Sequence, residues 1–379
     1  MINFEFHNPV KILFGKGQIA ALSGELASAK KIMVTYGGGS IKKNGVYDQV
    51  SDALKDKKWI EFGGIEANPQ YTTLMKAVAL AREEGVDYLL AVGGGSVLDG
   101  TKFIAAAIPF KGDCWEMVTK RIPLETAIPF SAVLTLPATG SEMNSGAVVS
   151  YKEIGEKRAF GNPLLYPKCS VLDPHVVASL PKRQIANGIV DAYVHVLEQY
   201  LTYPGENPLQ ERMAESILMT LAEEGPKVLE DPDNYEAAAN LMWCATMALN
   251  GILRLGVLSD WATHMIGHEL TAIYGIDHAR TLAIIAPSLY RVMMPNKEAK
   301  LLQYGARVWG LQGTAEDAIK EMEAFFHSLG VPTKLSDYTE EKSAPESIAK
   351  TFEKRAWHGL GERQDIDPKR VKEIVEKAI

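Results

Sequence analysis

Two glycine runs, each closed by a serine, constrain this chain more than any other feature: Gly37-Gly38-Gly39-Ser40 and Gly93-Gly94-Gly95-Ser96. Each follows a short, densely apolar segment, Lys31-Ile-Met-Val-Thr-Tyr36 or Tyr88-Leu-Leu-Ala-Val92, and each precedes a helical pattern. Apolar runs of this length that stop at glycine are the mark of strands buried on both faces of a parallel sheet. Residues 72–84, between the two, are apolar at Leu74, Val78 and Ala81, and Gly85 follows as a stop. Residues 127–136 read as a further buried strand, with Pro129 at its start or edge. Strand, helix, strand in this order implies a doubly wound α/β domain.

From Gln184 onward the rhythm is helical, over residues 189–201, 211–221, 237–253 and 314–329. Thr314 is a good N-cap for the last of these, and Gly330 ends it. The uncharged stretch 237–253 is shorter than the ~20 residues of a membrane span. It also carries two Asn and a Thr, so it reads as a helix buried on every side within an all-α domain. Pro163, Pro167, Pro174 and Pro181 mark the change of rhythm, giving an α/β domain over 1–180 and a helical domain over 181–379. A chain of 379 residues is long enough for two such domains.

With 40 basic and 47 acidic residues the net charge is −7, which argues against nucleic acid as a main partner. The three cysteines, Cys114, Cys169 and Cys244, lack C-x-x-C spacing and fit thiols in a reducing compartment. The N-terminus shows no basic and apolar leader, so the expectation is a cytoplasmic protein without membrane attachment. Residues 4–14 read as an edge strand, which invites pairing with a second copy.

Glycine lets a backbone approach phosphate closely, and the following helix N-terminus adds unpaired N–H groups and partial positive charge. Both runs lie where parallel sheets bind ligands, at the C-terminal ends of strands, and together they favour a dinucleotide. Neither matches G-x-G-x-x-G or a Walker loop; the alternative is a pair of tight turns that need only positive φ. The second run continues to Asp99, and a third loop supplies hydroxyls at Thr135, Thr139 and Ser141, suited to an amide or ribose or simply to capping a helix. NAD-binding folds usually place a carboxylate near the end of the second strand. Here none stands before Asp48, while Lys42 and Lys43 follow the loop. That pattern tolerates or favours NADP, unless the lysines are merely exposed.

Asp191 and His195 are four apart in one helical pattern, and His264 and His268 repeat the spacing in another; His278 follows ten residues later. Residues at i and i+4 share a helix face. One carboxylate with several imidazoles suits Zn²⁺ or Fe²⁺ better than Ca²⁺ or Mg²⁺. H-E-x-x-H is absent, because Ala272 stands where its second histidine would be. Spacing leaves open which of the five ligate: His268 is either a ligand or a residue one turn away that faces substrate. His7, His175, His327 and His358 have no partners at useful spacing and read as surface or core.

Three motifs carry a family resemblance over essentially the whole chain. They are Gly93-Gly-Gly-Ser-x-x-Asp99, Gly188-x-x-Asp-Ala-x-x-His-x-x-Glu-x-Tyr200, and His264-x-x-x-His268 with His278 and Pro287 beyond. In these the chain resembles the iron-containing (group III) alcohol dehydrogenases, and within them the NADPH-dependent aldehyde reductase and butanol dehydrogenase branch. The resemblance implies a dehydroquinate synthase-like fold: an α/β dinucleotide-binding domain, an all-α domain, and an active site between them. It implies Asp191, His195, His264 and His278 as ligands of one Fe²⁺ or Zn²⁺, and His268 beside nicotinamide and substrate. It implies cofactor contacts at Gly38, Ser40, Asn68, Gly94 to Ser96, Asp99, Thr135, Thr139, Asn144 and Lys157, with Gly37, Gly39 and Gly93 completing the runs. Many family members carry Asp in the first loop; Gly39-Ser40 here matches the NADP-using branch, as do Thr271 and Ala279 in place of glycines. The expected activity is reversible reduction of aldehydes to primary alcohols by NADPH, in a homodimer. A metal-dependent lyase or hydrolase on the same scaffold, or a non-catalytic nucleotide-binding regulator, is the alternative.

Overall fold

The computed structural model describes the whole chain, Met1–Ile379, as two compact units. One comprises His7–Pro181 with Pro232–Thr246; the other comprises Met1–Phe6, Lys182–Asp231 and Met247–Ile379. The chain passes from the first to the second at Pro181, yet two segments fall on the other side of the expected 180/181 division.

The first unit contains eight strands: β1 (Lys11–Phe14), β2 (Lys31–Tyr36), β3 (Lys58–Phe62), β4 (Tyr88–Gly93), β5 (Phe130–Leu134), β6 (Gly146–Tyr151), β7 (Glu156–Gly161) and β8 (Cys169–Leu172). Six form a sheet in the order β1-β8-β5-β4-β2-β3, parallel at every pairing. All residues of β4 and β5 are buried, as expected for central strands covered on both faces. The helices Tyr71–Glu83 and Gly95–Ala107 flank β4 in sequence, and the second of them is buried along nearly its whole length. The expected strand 127–136 is shorter, because Pro129 has no N–H to give and pairing begins at Phe130. The expected edge strand 4–14 is reduced to Lys11–Phe14, which pairs with β8 and borders the sheet.

β6 and β7 form a separate antiparallel hairpin that sequence reading does not find. The helix Tyr235–Ala248 also departs from expectation. It stops five residues before Leu253, leaves Trp243 40% exposed, and packs with the sheet unit rather than inside the helical one. There Trp243 meets Phe14 edge-on at 6.0 Å, and Thr246 Oγ1 donates to the buried Glu142 carboxylate at 2.5 Å.

The second unit is all-helical. Its main helices are Lys182–Tyr200, Pro208–Glu230, Ala262–Tyr274, His278–Val292, Met294–Trp309, Ala315–Ser328, Ala344–Lys354 and Pro368–Lys377. Thr314 caps Ala315–Ser328 in a reciprocal box: Asp317 N–H donates to Thr314 Oγ1 at 3.2 Å, and Thr314 N–H donates to the Asp317 carboxylate at 2.8 Å. No helix is long and apolar enough to cross a membrane. All three cysteines are buried thiols outside any disulfide.

Candidate functional site

In the helical unit, the helix Lys182–Tyr200 is buried from Ile185 to its end. Asp191, His195 and Glu198 fall on one face at i, i+4 and i+7. The helix Ala262–Tyr274 brings His264 to the same place. It begins beside Asp260, whose Oδ1 accepts from Ala262 N–H at 2.9 Å. The helix His278–Val292 starts at the third histidine. Its preceding residue, Asp277, accepts from Arg183 Nε at 2.8 Å and Asn187 Nδ2 at 2.9 Å, which ties His278 to the helix that carries Asp191.

Asp191 Oδ1 is the common point. A His195 ring nitrogen lies 3.8 Å from it, His264 Nε2 4.0 Å and His278 Nε2 3.7 Å. The ligating atoms of Asp191, His195 and His264 all lie within 4.8 Å of one another, and all three residues are buried. The His195 and His264 rings stack at 4.6 Å, and the His278 ring lies 5.2 Å from that of His264. Four ligands held tetrahedrally at about 2.1 Å from an ion are ~3.4 Å apart. The observed separations are therefore close to those of a coordination shell.

Asp191 Oδ1 is buried and accepts no hydrogen bond. A carboxylate oxygen kept from water without a donor is costly. A cation among one carboxylate and three imidazoles removes that cost, and the donor set suits Fe²⁺ or Zn²⁺. His268 borders this group: its ring is 5.0 Å from His278 and 6.3 Å from His264, and like His278 it is half-buried.

Two neighbours escaped sequence reasoning. Glu198, fully buried, accepts from Thr263 N–H at 2.6 Å and from His264 N–H at 3.3 Å, while its Oε2 meets His264 Nδ1. Burial, with Asp260's charge adding, pushes its carboxyl up to about 8, against the pull of the two backbone N–H groups and His195. With Nδ1 donating to Glu198, His264 Nε2 presents its lone pair on the side of Asp191. This is the carboxylate–histidine arrangement that fixes ligand orientation at metal sites. Glu198's position one turn beyond His195 was the available signal. Trp261 lies edge-on to His264 at 5.5 Å, with its backbone in the left-handed region at φ 62°. Nothing in the sequence marks that conformation, which is uncommon for a bulky residue.

In the sheet unit, both glycine runs stand at strand ends. Gly93 closes β4 and Gly95 opens the next helix; Gly37 follows β2, which pairs with β4. Of these six glycines only Gly39 has positive φ, at 88°. In the second run the requirement is space: a Cβ on Gly95 would stand 2.4 Å from Thr139, and one on Gly94 3.0 Å from Leu136. The third loop thus packs directly onto the second. Thr135 N–H donates to the Gly93 carbonyl at 3.0 Å, and Ser141 N–H donates to Thr139 Oγ1 at 3.2 Å. Asn68, at φ 57°, gives its N–H to Ser96 Oγ at 3.3 Å, and its Oδ1 accepts from Lys157 Nζ at 2.8 Å.

Two of the expected cofactor residues, Asp99 and Asn144, also make internal hydrogen bonds. Asp99 accepts from Ser141 Oγ at 2.7 Å and from Val148 N–H at 2.9 Å, which ties the third loop and the β6–β7 hairpin to its helix. Asn144 Oδ1 accepts from Lys102 Nζ at 3.0 Å, and its Nδ2 donates to the Gly140 carbonyl at 2.9 Å. Lys102 is fully buried and also donates to Ser141 Oγ and the Gly146 carbonyl, each at 2.7 Å. Burial pushes its ammonium down to about 8, opposed by the Asp99 and Glu142 carboxylates. Both lysines beyond the first run are exposed, and Lys42 is paired with Glu61 of β3 at 2.7 Å.

Comparison with known proteins covers nearly all of the chain. Residues 9–174 match the model of the iron-containing alcohol dehydrogenase family, and residues 185–379 match the C-terminal part of the Fe-containing alcohol dehydrogenase family. The chain is 53% identical over 374 residues to the NADPH-dependent aldehyde reductase YqhD of Escherichia coli, covering 97% of each. It is 42% identical over 359 residues to the probable NADH-dependent butanol dehydrogenase 1 of Bacillus subtilis, covering 92% of this chain and 93% of that protein. The crystal structure of E. coli YqhD matches with a TM-score of 0.97 at 52% identity, covering 100% of this chain and 99% of the other. None of these relatives is named as a lyase or a hydrolase.

Proposed function

The chain belongs to the iron-containing alcohol dehydrogenase family, and from that premise we propose that it reduces small aldehydes to primary alcohols, reversibly, with NADPH. The observation that carries the reading is the buried, donorless Oδ1 of Asp191 among three imidazoles. Asp191, His195, His264 and His278 hold one divalent ion, Fe²⁺ or Zn²⁺. When bound, the ion supplies Lewis acidity toward a carbonyl oxygen, and NADPH supplies the hydride.

The chain's own groups do the rest. Glu198 and Asp277 hold His264 and His278 in orientation. His268, half-buried beside His278, passes a proton toward the reduced oxygen. Gly93–Ser96 brings backbone N–H groups and a helix N-terminus to the dinucleotide phosphates. Gly37–Ser40, Asn68, Thr135, Thr139 and Lys157 contact the remainder of the cofactor, while Asp99 and Asn144 shape the loop through Ser141 and Lys102. The absence of a carboxylate within the first run, together with the cofactor named for the E. coli relative, supports NADPH over NADH.

One assay tests this function. Purified, metal-analysed protein is expected to oxidise NADPH with butyraldehyde, and to lose that activity when a chelator removes the metal. Full activity in metal-free protein overturns the metal assignment, and equal use of NADH overturns the cofactor. A cytoplasmic homodimer is also proposed. Its support is the apolar N-terminal segment, with Ile2, Phe4 and Phe6 exposed by 49%, 52% and 49%, and the edge position of β1. Light scattering is expected to give twice the 41.5 kDa chain mass; a monomeric mass overturns it.

A further inference from the structure

The carboxylate missing from the first glycine loop is present on the neighbouring strand. Glu61 lies on β3, the edge strand, in register with Val34 of β2. Its Oε2 accepts from Lys42 Nζ at 2.7 Å and from the Tyr36 hydroxyl at 2.8 Å, and its Oε1 accepts from the Tyr47 hydroxyl. The Lys42 ammonium stands 5.0 Å from the Tyr36 ring centre and 4.6 Å from that of Tyr47. Tyr36 is the last residue of β2, and Lys42 ends the single turn that Ser40 begins. The four side chains therefore gather at the C-terminal end of β2. In sheets of this kind that is where the adenosine ribose is read.

We propose that Glu61, acting through Lys42, sets how far this chain discriminates between phosphorylated and unphosphorylated nicotinamide dinucleotides. The inference rests on the dinucleotide reading above and makes Glu61 a positioning residue for its specificity. A 2′-phosphate needs a cation, and the cation at hand is already neutralised. The phosphate has to compete with Glu61 for Lys42 while facing the carboxylate's own charge. A ribose diol meets no such repulsion, and gains little from a carboxylate that already accepts from three donors. Glu61 therefore restrains the preference for a 2′-phosphate that the carboxylate-free loop would otherwise give. At partly exposed sites each such charge interaction shifts affinity by roughly three- to tenfold.

The test uses adenosine 2′,5′-bisphosphate and 5′-ADP as probes, titrated calorimetrically into the full chain. These need neither metal nor turnover. Glu61→Gln is expected to tighten the bisphosphate by roughly three- to tenfold and to leave 5′-ADP within about twofold. Lys42→Gln is expected to weaken the bisphosphate alone, and Glu61→Gln added to Lys42→Gln to recover little. The ratio of kcat/KM for NADPH over NADH should move in parallel. General damage to the β3 edge would weaken both probes together, so their ratio isolates the proposed effect. An unchanged ratio in both single variants overturns this inference and leaves the dinucleotide reading intact. Failure of the unaltered protein to bind either probe overturns that reading, and this inference with it.

Discussion

Asp191→Ala is expected to strip the metal from the protein and to cut NADPH-dependent butyraldehyde reduction by roughly 10³-fold or more. Asp191 Oδ1 is the atom on which all three imidazoles converge, within 3.7 to 4.0 Å. Its loss removes the only formal negative charge of the donor set. The same residue makes a second, opposite forecast for stability. In metal-free protein, Asp191 Oδ1 is a buried acceptor without a donor, and such a group destabilises the fold. Removing it should leave the metal-free chain as stable as before, or raise its unfolding temperature, even though activity is gone. Elemental analysis and thermal unfolding of both proteins, each freed of metal with a chelator, check the pair. A variant that keeps one ion per chain would refute the ligand assignment. A marked fall in the stability of the metal-free variant would mean that Asp191 serves the fold and not an ion.

His268→Ala is expected to behave differently: metal stays bound, while kcat falls by about 10²- to 10⁴-fold, the usual scale for a lost proton-transfer group. Its geometry carries the distinction. His268 shares a helix face with His264, yet its ring lies 6.3 Å away and is half-buried, whereas His264 is 7% exposed. The effect should fall on kcat more than on KM for NADPH. Loss of the ion in His268→Ala would show that His268 ligates and that one of the four assigned residues does not.

The two pairs at four-residue spacing show how much of the site was legible. Four-residue spacing on a helix placed Asp191 with His195 and His264 with His268, because the helical period is a property of one segment. It could not say that His264 comes within 4.0 Å of Asp191 while His268 lies beside His278, since that depends on how one helix packs on another. Glu198 was visible as a residue one turn past His195, but its role required Thr263 and His264 to arrive from a distant segment. In the sheet unit, β2 and β4 were legible as apolar runs because they are buried on both faces. The β6–β7 hairpin was not, because β7 opens with three charged residues in a row, Glu156-Lys157-Arg158, and the two strands find order in each other and in Asp99. The helix Tyr235–Ala248 looked like helical-domain core because its composition is apolar, but composition does not name the surface that a helix covers.

The sequence by itself determined the two rhythms, the strand-end glycines and the residue types on offer to a metal, one Asp and four His at helical spacing. Each of these follows from local periodicity or from residue type. Tertiary structure decided the convergence of three helices on Asp191 Oδ1 and the hydrogen bonds that join Asp99 and Asn144 to Ser141, Val148 and Lys102. It also decided that the carboxylate near the first glycine loop comes from β3. Those outcomes depend on contacts between segments far apart in the chain, where burial rather than local propensity selects each partner.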